Sequence, residues 1–398
     1  MQDLVFVSQR IPYPPNKGDK VRSWNVLSRL AEDYRVHLAS FVDDPADWQY
    51  EQVLRDICAS CLLRPLRPFL AKLRSLPAFI GRDPLTRRYF HDGHIARWLD
   101  DLAARRKPDR VFVFSSGVAD YVMGPRWAGA RRIIDMVDVD SDKWRQYAAA
   151  KSGLSRWIYG REARTLADFE RQASTLFDAT LFVSEAEADL FRTLSPATAA
   201  KVHAVGNGVD CAFFDPAIGF ADPYPAGVTP LVFTGAMDYW PNVDAVVWFA
   251  EQVLPRVMAR LRNAALFVVG ANPDWRVQAL DASPVITVTG RVDDIRPYIA
   301  HARVVVAPLQ VARGVQNKVL EGMAMAKPVV ASPMALEGLD AASGREILVA
   351  KTPDEYARMV LEAVAGGHPD MGGLARRRVF GSYSWQASYE KMLAILER

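Results

Sequence analysis

Short apolar runs rich in β-branched residues recur along the chain, and stretches of helical periodicity separate them. In the first half these runs fall at residues 4–8, 36–42, 111–115, 133–137 and 180–184. In the second half they fall at 231–234, 266–269, 286–289, 304–307, 329–331 and 347–349. Unbroken apolar runs of this length mark strands buried on both faces, and their alternation with helices requires parallel sheets covered on either side. Val21, Trp24, Leu27 and Leu30 predict one helix face, and Val246, Val247, Phe249, Val253, Leu254 and Val257 predict another. Ser184 followed by Glu187 predicts a capping box. The pattern runs through twice, and 398 residues exceed what one core holds. The expected fold is therefore α/β with two doubly wound domains. A ligand cleft would lie between the domains, at the carboxyl ends of the strands.

Composition removes several function classes. Half the residues are apolar, 24% are charged, and the net charge of +3 argues against a dedicated nucleic-acid binder. No apolar run approaches membrane-spanning length, and Met1-Gln2-Asp3 leads straight into a strand. The expectation is a cytoplasmic protein without a signal peptide. Cys58 and Cys61 form a C-x-x-C without the partners of a zinc site, so they are expected as two small residues on one helix. His91 and His94 likewise lack a third ligand. No strand is followed by G-x-G-x-x-G, which disfavours an NAD-dependent oxidoreductase.

The most chemically informative stretch is 303–333, RVVVAPLQVARGVQNKVLEGMAMAKPVVASP. It reads as strand, loop, helix start and strand, the arrangement that aims backbone N–H groups and a helix dipole at an anion. Lys318 adds a point charge beside that cradle, and Glu321, one turn on, is an acceptor suited to ribose hydroxyls. Together they point to a nucleotide with a diphosphate. An ordinary βαβ unit with a solvated lysine fits the same residues.

Glu321-Gly322-Met323-Ala324-Met325-Ala326-Lys327-Pro328-Val329-Val330 resembles the E-A-M-A-x-G-x-P-V-V of retaining GT-B glycosyltransferases. The run Gly314-Val315-Gln316-Asn317-Lys318-Val319-Leu320-Glu321 is similar to that of the sugar transferases of bacterial exopolysaccharide and PEP-CTERM clusters. In the wider family a first Glu stands eight positions before the second and touches the donor sugar; here that position is Arg313. The resemblance covers essentially the whole chain. It implies the GT-B fold, two Rossmann-like domains facing a central cleft. Residues 1–206 would form an acceptor-side domain, 207–380 a nucleotide-sugar-binding domain, and 381–398 a helix crossing back to the first domain. Asn207-Gly208-Val209-Asp210 matches the family's N-G-V-D at the crossover.

Other candidates take their roles from the same resemblance. Gly235, at a strand end, would abut the diphosphate, and Gly290-Arg291-Val292 would flank the base, with Arg291 in reach of a phosphate. Arg313, Gly314, Val315 and Asn317 complete the donor set with Lys318 and Glu321. Asn16, Gly18 and Asp19 form a loop facing donor and acceptor, with Arg22, one turn into the helix, as a phosphate contact, although Asp19 stands where the family has a second glycine. A turn glycine, a solvated arginine or a plain loop accounts for these residues equally well without a ligand.

Asp135, Asp138, Asp140 and Asp142 cluster after the fourth run. Asp138-Val139-Asp140 is literally D-x-D, the metal-binding pattern of GT-A enzymes, but GT-A enzymes have one sheet. Where many GT-B enzymes carry His-Asp, this chain has Val137-Asp138, so Asp138 is the candidate catalytic acid or base alongside Lys318; an N-cap cluster is the competing account. Residues 64–110 hold twelve Lys/Arg against five Asp/Glu, interleaved with Leu66, Phe69, Leu70, Leu73, Leu76, Phe79 and Ile80. Such a stretch either lies on an anionic membrane or packs as a solvated helix.

The resemblance thus implies a hexosyltransferase-type enzyme. It would move a sugar from a nucleotide-diphosphate sugar to a glycan or lipid-linked acceptor, with retention, without metal or other cofactor, and at the inner face of the plasma membrane. A nucleotide-sugar epimerase on the same fold, or a non-catalytic nucleotide-sugar-binding protein, remains as an alternative.

Overall fold

The computed structural model describes residues 1–398 except Asn16, Lys17, Ala150, Arg313 and Gly314. The chain forms two compact units, residues 1–205 with 389–398 and residues 206–388.

The first unit is built on β1 (Asp3–Ser8), β2 (Arg35–Val42), β3 (Ser60–Pro65), β4 (Arg110–Phe114), β5 (Arg131–Val137), β6 (Ala179–Phe182) and β7 (Val202–Ala204). These form a parallel sheet in the order β3-β2-β1-β4-β5-β6-β7. The interior positions of β1 and β4 are apolar because successive side chains enter opposite cores. Leu4 and Phe6 pack with Phe112, Ile133 and the helix Gly18–Asp33, while Val5 and Val7 pack with Val111, Ile134 and Phe169. The last residues close the first of these cores. Tyr389, Met392, Ile395 and Leu396 are buried in it, and the Tyr389 hydroxyl donates to Asp33 at 2.5 Å.

The second unit repeats the winding. Its strands are β8 (Thr229–Thr234), β9 (Ala264–Val269), β10 (Ile286–Gly290), β11 (Val304–Ala307), β12 (Val329–Ala331) and β13 (Leu348–Val349), ordered β10-β9-β8-β11-β12-β13. All are parallel, and the strand order reverses between β8 and β11. That reversal leaves a crevice at the carboxyl ends of these two strands, because the following loops depart in opposite directions. The helix Trp240–Trp248 continues through a π-helical turn at Phe249–Val253, next to Pro255, which cannot donate a helical hydrogen bond.

Several local expectations are corrected. Strands β3 and β7 go unread in the sequence because β3, SCLLRP, holds no β-branched residue and β7 spans only three residues. Cys58 and Cys61 do not share a helix: Cys58 caps Glu51–Ile57 and Cys61 lies in β3. The capping box is only half formed. Ser184 accepts from the Glu187 backbone, but the Glu187 carboxylate accepts from Val139 N–H at 2.7 Å. The first helix buries Leu27 and Leu30 of the expected face, leaves Val21 and Trp24 half-buried, and also buries Lys20, Arg22, Ser23 and Val26.

Candidate functional site

At the β8/β11 switch point the second unit opens into a pocket of about 570 Å³. Thr234, Gly235 and Ala236 enter it from the end of β8, Gly270 from the end of β9, and Val315, Gln316, Asn317, Lys318 and Glu321 from the loop and helix after β11. Two helix starts face it: Tyr239 and Asn242 open Trp240–Trp248, and Gln316 to Lys318 open Asn317–Ala324. N–H groups of a helix's first turn lack intrahelical acceptors, so both starts favour a negative charge.

The floor of the pocket tolerates only glycine. A Cβ on Gly270 would fall 1.7 Å from the Gly235 carbonyl oxygen, and one on Gly235 would fall 2.8 Å from Asn242 Nδ2. The two strand ends therefore approach closely enough to expose backbone to a ligand. Thr234 adds a buried hydroxyl that has no hydrogen-bond partner among the described residues.

Lys318 is the central charge. It is 9% exposed, its Nζ donates to Asn242 Oδ1 at 3.0 Å, and it lies 5.2 Å from the centroid of the Phe233 ring. Asn242 is itself fixed, donating through Nδ2 to the Ala236 carbonyl at 2.8 Å. An ammonium has three donors, so this contact leaves capacity for an anion. Burial lowers the Lys318 pKa to about 8, opposed by the attraction of Glu321. Burial likewise raises Glu321 to about 7, opposed by Lys318. A cation and an acid held in a low-dielectric pocket, each near its titration point, mark a place where a charged ligand would change both.

The sequence candidates separate into three groups. Gly235, Val315, Asn317, Lys318 and Glu321 line this pocket together. Arg291 is exposed and Val292 packs against the core of the second unit; neither lines the pocket, which Ile295 reaches instead. Arg313, Gly314 and Asn16 lie outside the described residues. Asn242 and Gly270 were not legible as pocket residues in the sequence, because their partners Lys318 and Gly235 lie on other elements; Asn207, of the crossover motif, also lines the pocket.

The acceptor-side candidates belong to the first unit. Gly18 opens the first helix with nothing within 4 Å of a Cβ placed there. Asp19 is ion-paired to Arg10 at 2.5 Å, and Arg10 also holds Asp43 at 2.8 Å. Arg22 differs from its expected role as a phosphate contact. It is 1% exposed and bonded to Asp135 at 2.7 Å, so it ties the first helix to β5. Asp138 follows Val137, whose φ of 67° is unusual for a β-branched residue and turns the chain sharply at the sheet's carboxyl edge. Lys143 bridges Asp138 at 2.8 Å and Asp140 at 3.2 Å. The D-x-D pair thus shares a lysine, and among the described residues no three His, Cys, Asp or Glu side chains converge as metal ligands.

Comparison with known structures places the fold. The chain resembles Anabaena HepE in complex with UDP, at 12% identity, 99% of each chain and a TM-score of 0.65. It resembles a glycosyltransferase from Rickettsia africae, at 13% identity, 100% of this chain, 98% of that one and a TM-score of 0.66. Sucrose-phosphate synthase from Thermosynechococcus elongatus matches at 17% identity over 100% and 98% of the two chains, with a TM-score of 0.66. Identities this low establish the fold, which is GT-B. Residues 229–365, the part of the second unit that builds the pocket, match the family model described as Glycosyl transferases group 1. The chain thus has the GT-B fold, and residues 229–365 are similar to group 1 glycosyl transferases. No curated protein sequence matches it significantly.

Proposed function

We propose that the protein transfers a hexosyl group from a nucleoside-diphosphate sugar to a glycan or lipid-linked acceptor, with retention at the anomeric carbon and without a metal. The observation that carries this reading is the pairing of buried Lys318 with Glu321 around two obligatory glycines at the β8/β11 switch point. The structures of Anabaena HepE, crystallised with UDP and with UDP-glucose, support a nucleotide-sugar ligand for the fold.

In this reading the diphosphate lies over Gly235 and Gly270, against both helix starts. Asn242 holds the Lys318 ammonium beside it, and Glu321 accepts from the ribose. As the anomeric C–O bond breaks, negative charge grows on the leaving diphosphate, and Lys318 with the backbone N–H groups stabilises it. A lysine and amides do here what a divalent cation does elsewhere, which is the basis for proposing metal independence. Asp138, displayed at the carboxyl edge of the first sheet, is the residue we assign to the acceptor hydroxyl.

The enzyme would act as a peripheral protein at the inner face of the plasma membrane. No helix among the described residues is long and apolar enough to cross a bilayer. Thermal-shift screening of the full chain against nucleoside diphosphates and nucleotide sugars tests the donor half. A ligand at a hundred times its Kd stabilises by about 2.7 kcal/mol. The expected result is a shift with at least one nucleoside diphosphate; no shift with any would refute the reading.

A further inference from the structure

The first unit displays a surface that glycosyl transfer does not explain. Within Pro68–Ser75 and the following turn Leu76–Ile80, Phe69, Leu70, Leu73 and Leu76 are exposed, and Ile80 is 94% exposed. A second element joins them. Leu154 and Trp157, at the start of the helix Gly153–Leu176, are also exposed, and Trp157 stacks on Phe79 with centroids 5.9 Å apart and planes 15° apart. Scattered exposed apolar residues are ordinary, but a contiguous group drawn from two elements is a mark of an interaction surface.

This surface is held in place by buried charge. Arg161 donates to the carbonyls of Ala78, Gly81 and Asp83. Its neighbour Glu162 accepts from the backbone of Leu85 and Thr86 and from the Thr86 hydroxyl, at 2.7, 2.9 and 2.8 Å. Both side chains are buried. Burying two charged groups to fix a turn whose tip is Ile80 makes the exposed tip a rigid feature of the fold.

Basic side chains accompany the apolar ones. Lys72, Arg82, Lys151 and Arg156 are exposed on or next to the same segments, and Arg88 is exposed but paired with Asp83 at 2.6 Å. Beneath the helix, at the carboxyl ends of β2 and β3, lies a pocket of about 290 Å³ walled by Phe41, Leu70, Arg64, Arg67, Arg74 and Asp92. Three guanidinium groups there face one carboxylate. Arg64 reaches Asp92 at 3.4 Å, and Arg74 is braced on the Tyr89 carbonyl at 3.0 Å. Guanidinium groups match phosphate oxygens in geometry as well as charge.

We propose that this face docks on an anionic phospholipid bilayer, the apolar residues entering the interface and a lipid phosphate seating among Arg64, Arg67 and Arg74. Charge complementarity selects the occupant: an apolar tip with cations on or next to the same segments, beside an arginine-lined pocket, matches a surface that is apolar within and phosphate-bearing at its edge. A protein partner or second copy with an apolar face would gain nothing from the arginine pocket. This deepens the membrane side of the proposed function and stands apart from its donor side.

The test is sedimentation of the full chain with phosphatidylglycerol and phosphatidylcholine vesicles, with the UDP-induced thermal shift followed in parallel. Each basic residue near an anionic surface contributes about 1 kcal/mol, or roughly fivefold in binding. The double variant R67A/K72A should therefore bind phosphatidylglycerol about 25-fold more weakly. F69S/I80S should lose binding to both lipids. Raising salt should weaken the phosphatidylglycerol binding of the wild type, because the surface attraction decays over about 10 Å at 0.1 M. Equal wild-type binding to the two lipids, no binding to either, self-association through this face in place of lipid binding, or unchanged binding by both variants would overturn the proposal. All variants should keep any UDP shift of the wild type. Vesicle binding without a UDP shift would count against the donor reading alone, and a UDP shift without vesicle binding against this proposal alone.

Discussion

Replacing Lys318 should separate stability from ligand binding. In the ligand-free pocket a pKa of about 8 in place of 10.5 makes the ammonium roughly 3 kcal/mol less favourable at neutral pH than in water. Lys318→Met keeps a flexible chain against Phe233 and removes that penalty, in which the attraction of Glu321 is already included, while forfeiting the hydrogen bond to Asn242. The net expectation is a folded protein more stable by on the order of 1 kcal/mol. Binding moves the other way. Losing a charge-assisted contact to a diphosphate in a partly dry pocket costs on the order of 2–5 kcal/mol, or about thirtyfold to a few thousandfold in affinity. Titration calorimetry with UDP and thermal melts report the two effects separately. The wild type carries a further mark: its pKa is depressed, so above pH about 8 the ammonium is lost and UDP affinity should fall, by up to about tenfold per pH unit. Lys318→Arg, which stays charged, should bind less tightly than wild type at pH 7 and lack that fall. A Lys318→Met protein with wild-type affinity, or a wild type whose UDP affinity is flat from pH 7 to 10, would refute the reasoning.

Four other outcomes follow from the structure. Asn242→Ala frees the Lys318 ammonium while leaving it in place, so UDP should bind about tenfold more weakly and retain its alkaline fall. Ala326 has a φ of 53°, where glycine is unstrained, so Ala326→Gly should raise the melting temperature by the equivalent of about 1 kcal/mol. Burial raises buried Glu170 to about 8 even though Ser141 donates to it at 2.5 and 3.1 Å. The folded chain then holds a proton that the unfolded chain releases, so stability should fall by up to about 1.4 kcal/mol per unit between pH 4.5 and 8. Glu170→Gln should flatten that part of the stability profile. Turnover should survive EDTA; abolition by chelator with rescue by manganese would transfer the diphosphate's charge from Lys318 to a metal held at Asp138 and Asp140.

What the sequence revealed follows from where physical signals are local. Each strand of the second sheet carries enough apolar β-branched residues to be read alone, and so do the five inner strands of the first. The edge strands β3 and β7 do not, because β3 has no β-branched residue and β7 is only three residues long. Lys318 and Glu321 were legible as a pair because one helical turn separates them. Asn242 was not, since its partner lies 76 positions away, and Gly270 reads as a turn glycine until the Gly235 carbonyl is seen against it. Arg22 misled for the same reason: a cation one turn into a loop-helix start looks like a phosphate contact, and only the fold supplies Asp135. The exposed face around Ile80 was half visible. Its basic and apolar residues are contiguous in sequence, but Trp157 and the Arg161 clamp come from a distant helix.

In the proposed reading a nucleoside diphosphate binds in the second unit over Gly235 and Gly270, beside Lys318. Hydrogen exchange of the full chain with and without saturating UDP tests it most directly. Slowed exchange is expected at residues 234–242 and 315–324. Slowed exchange confined to other segments, with these two unchanged while UDP is bound, would contradict it.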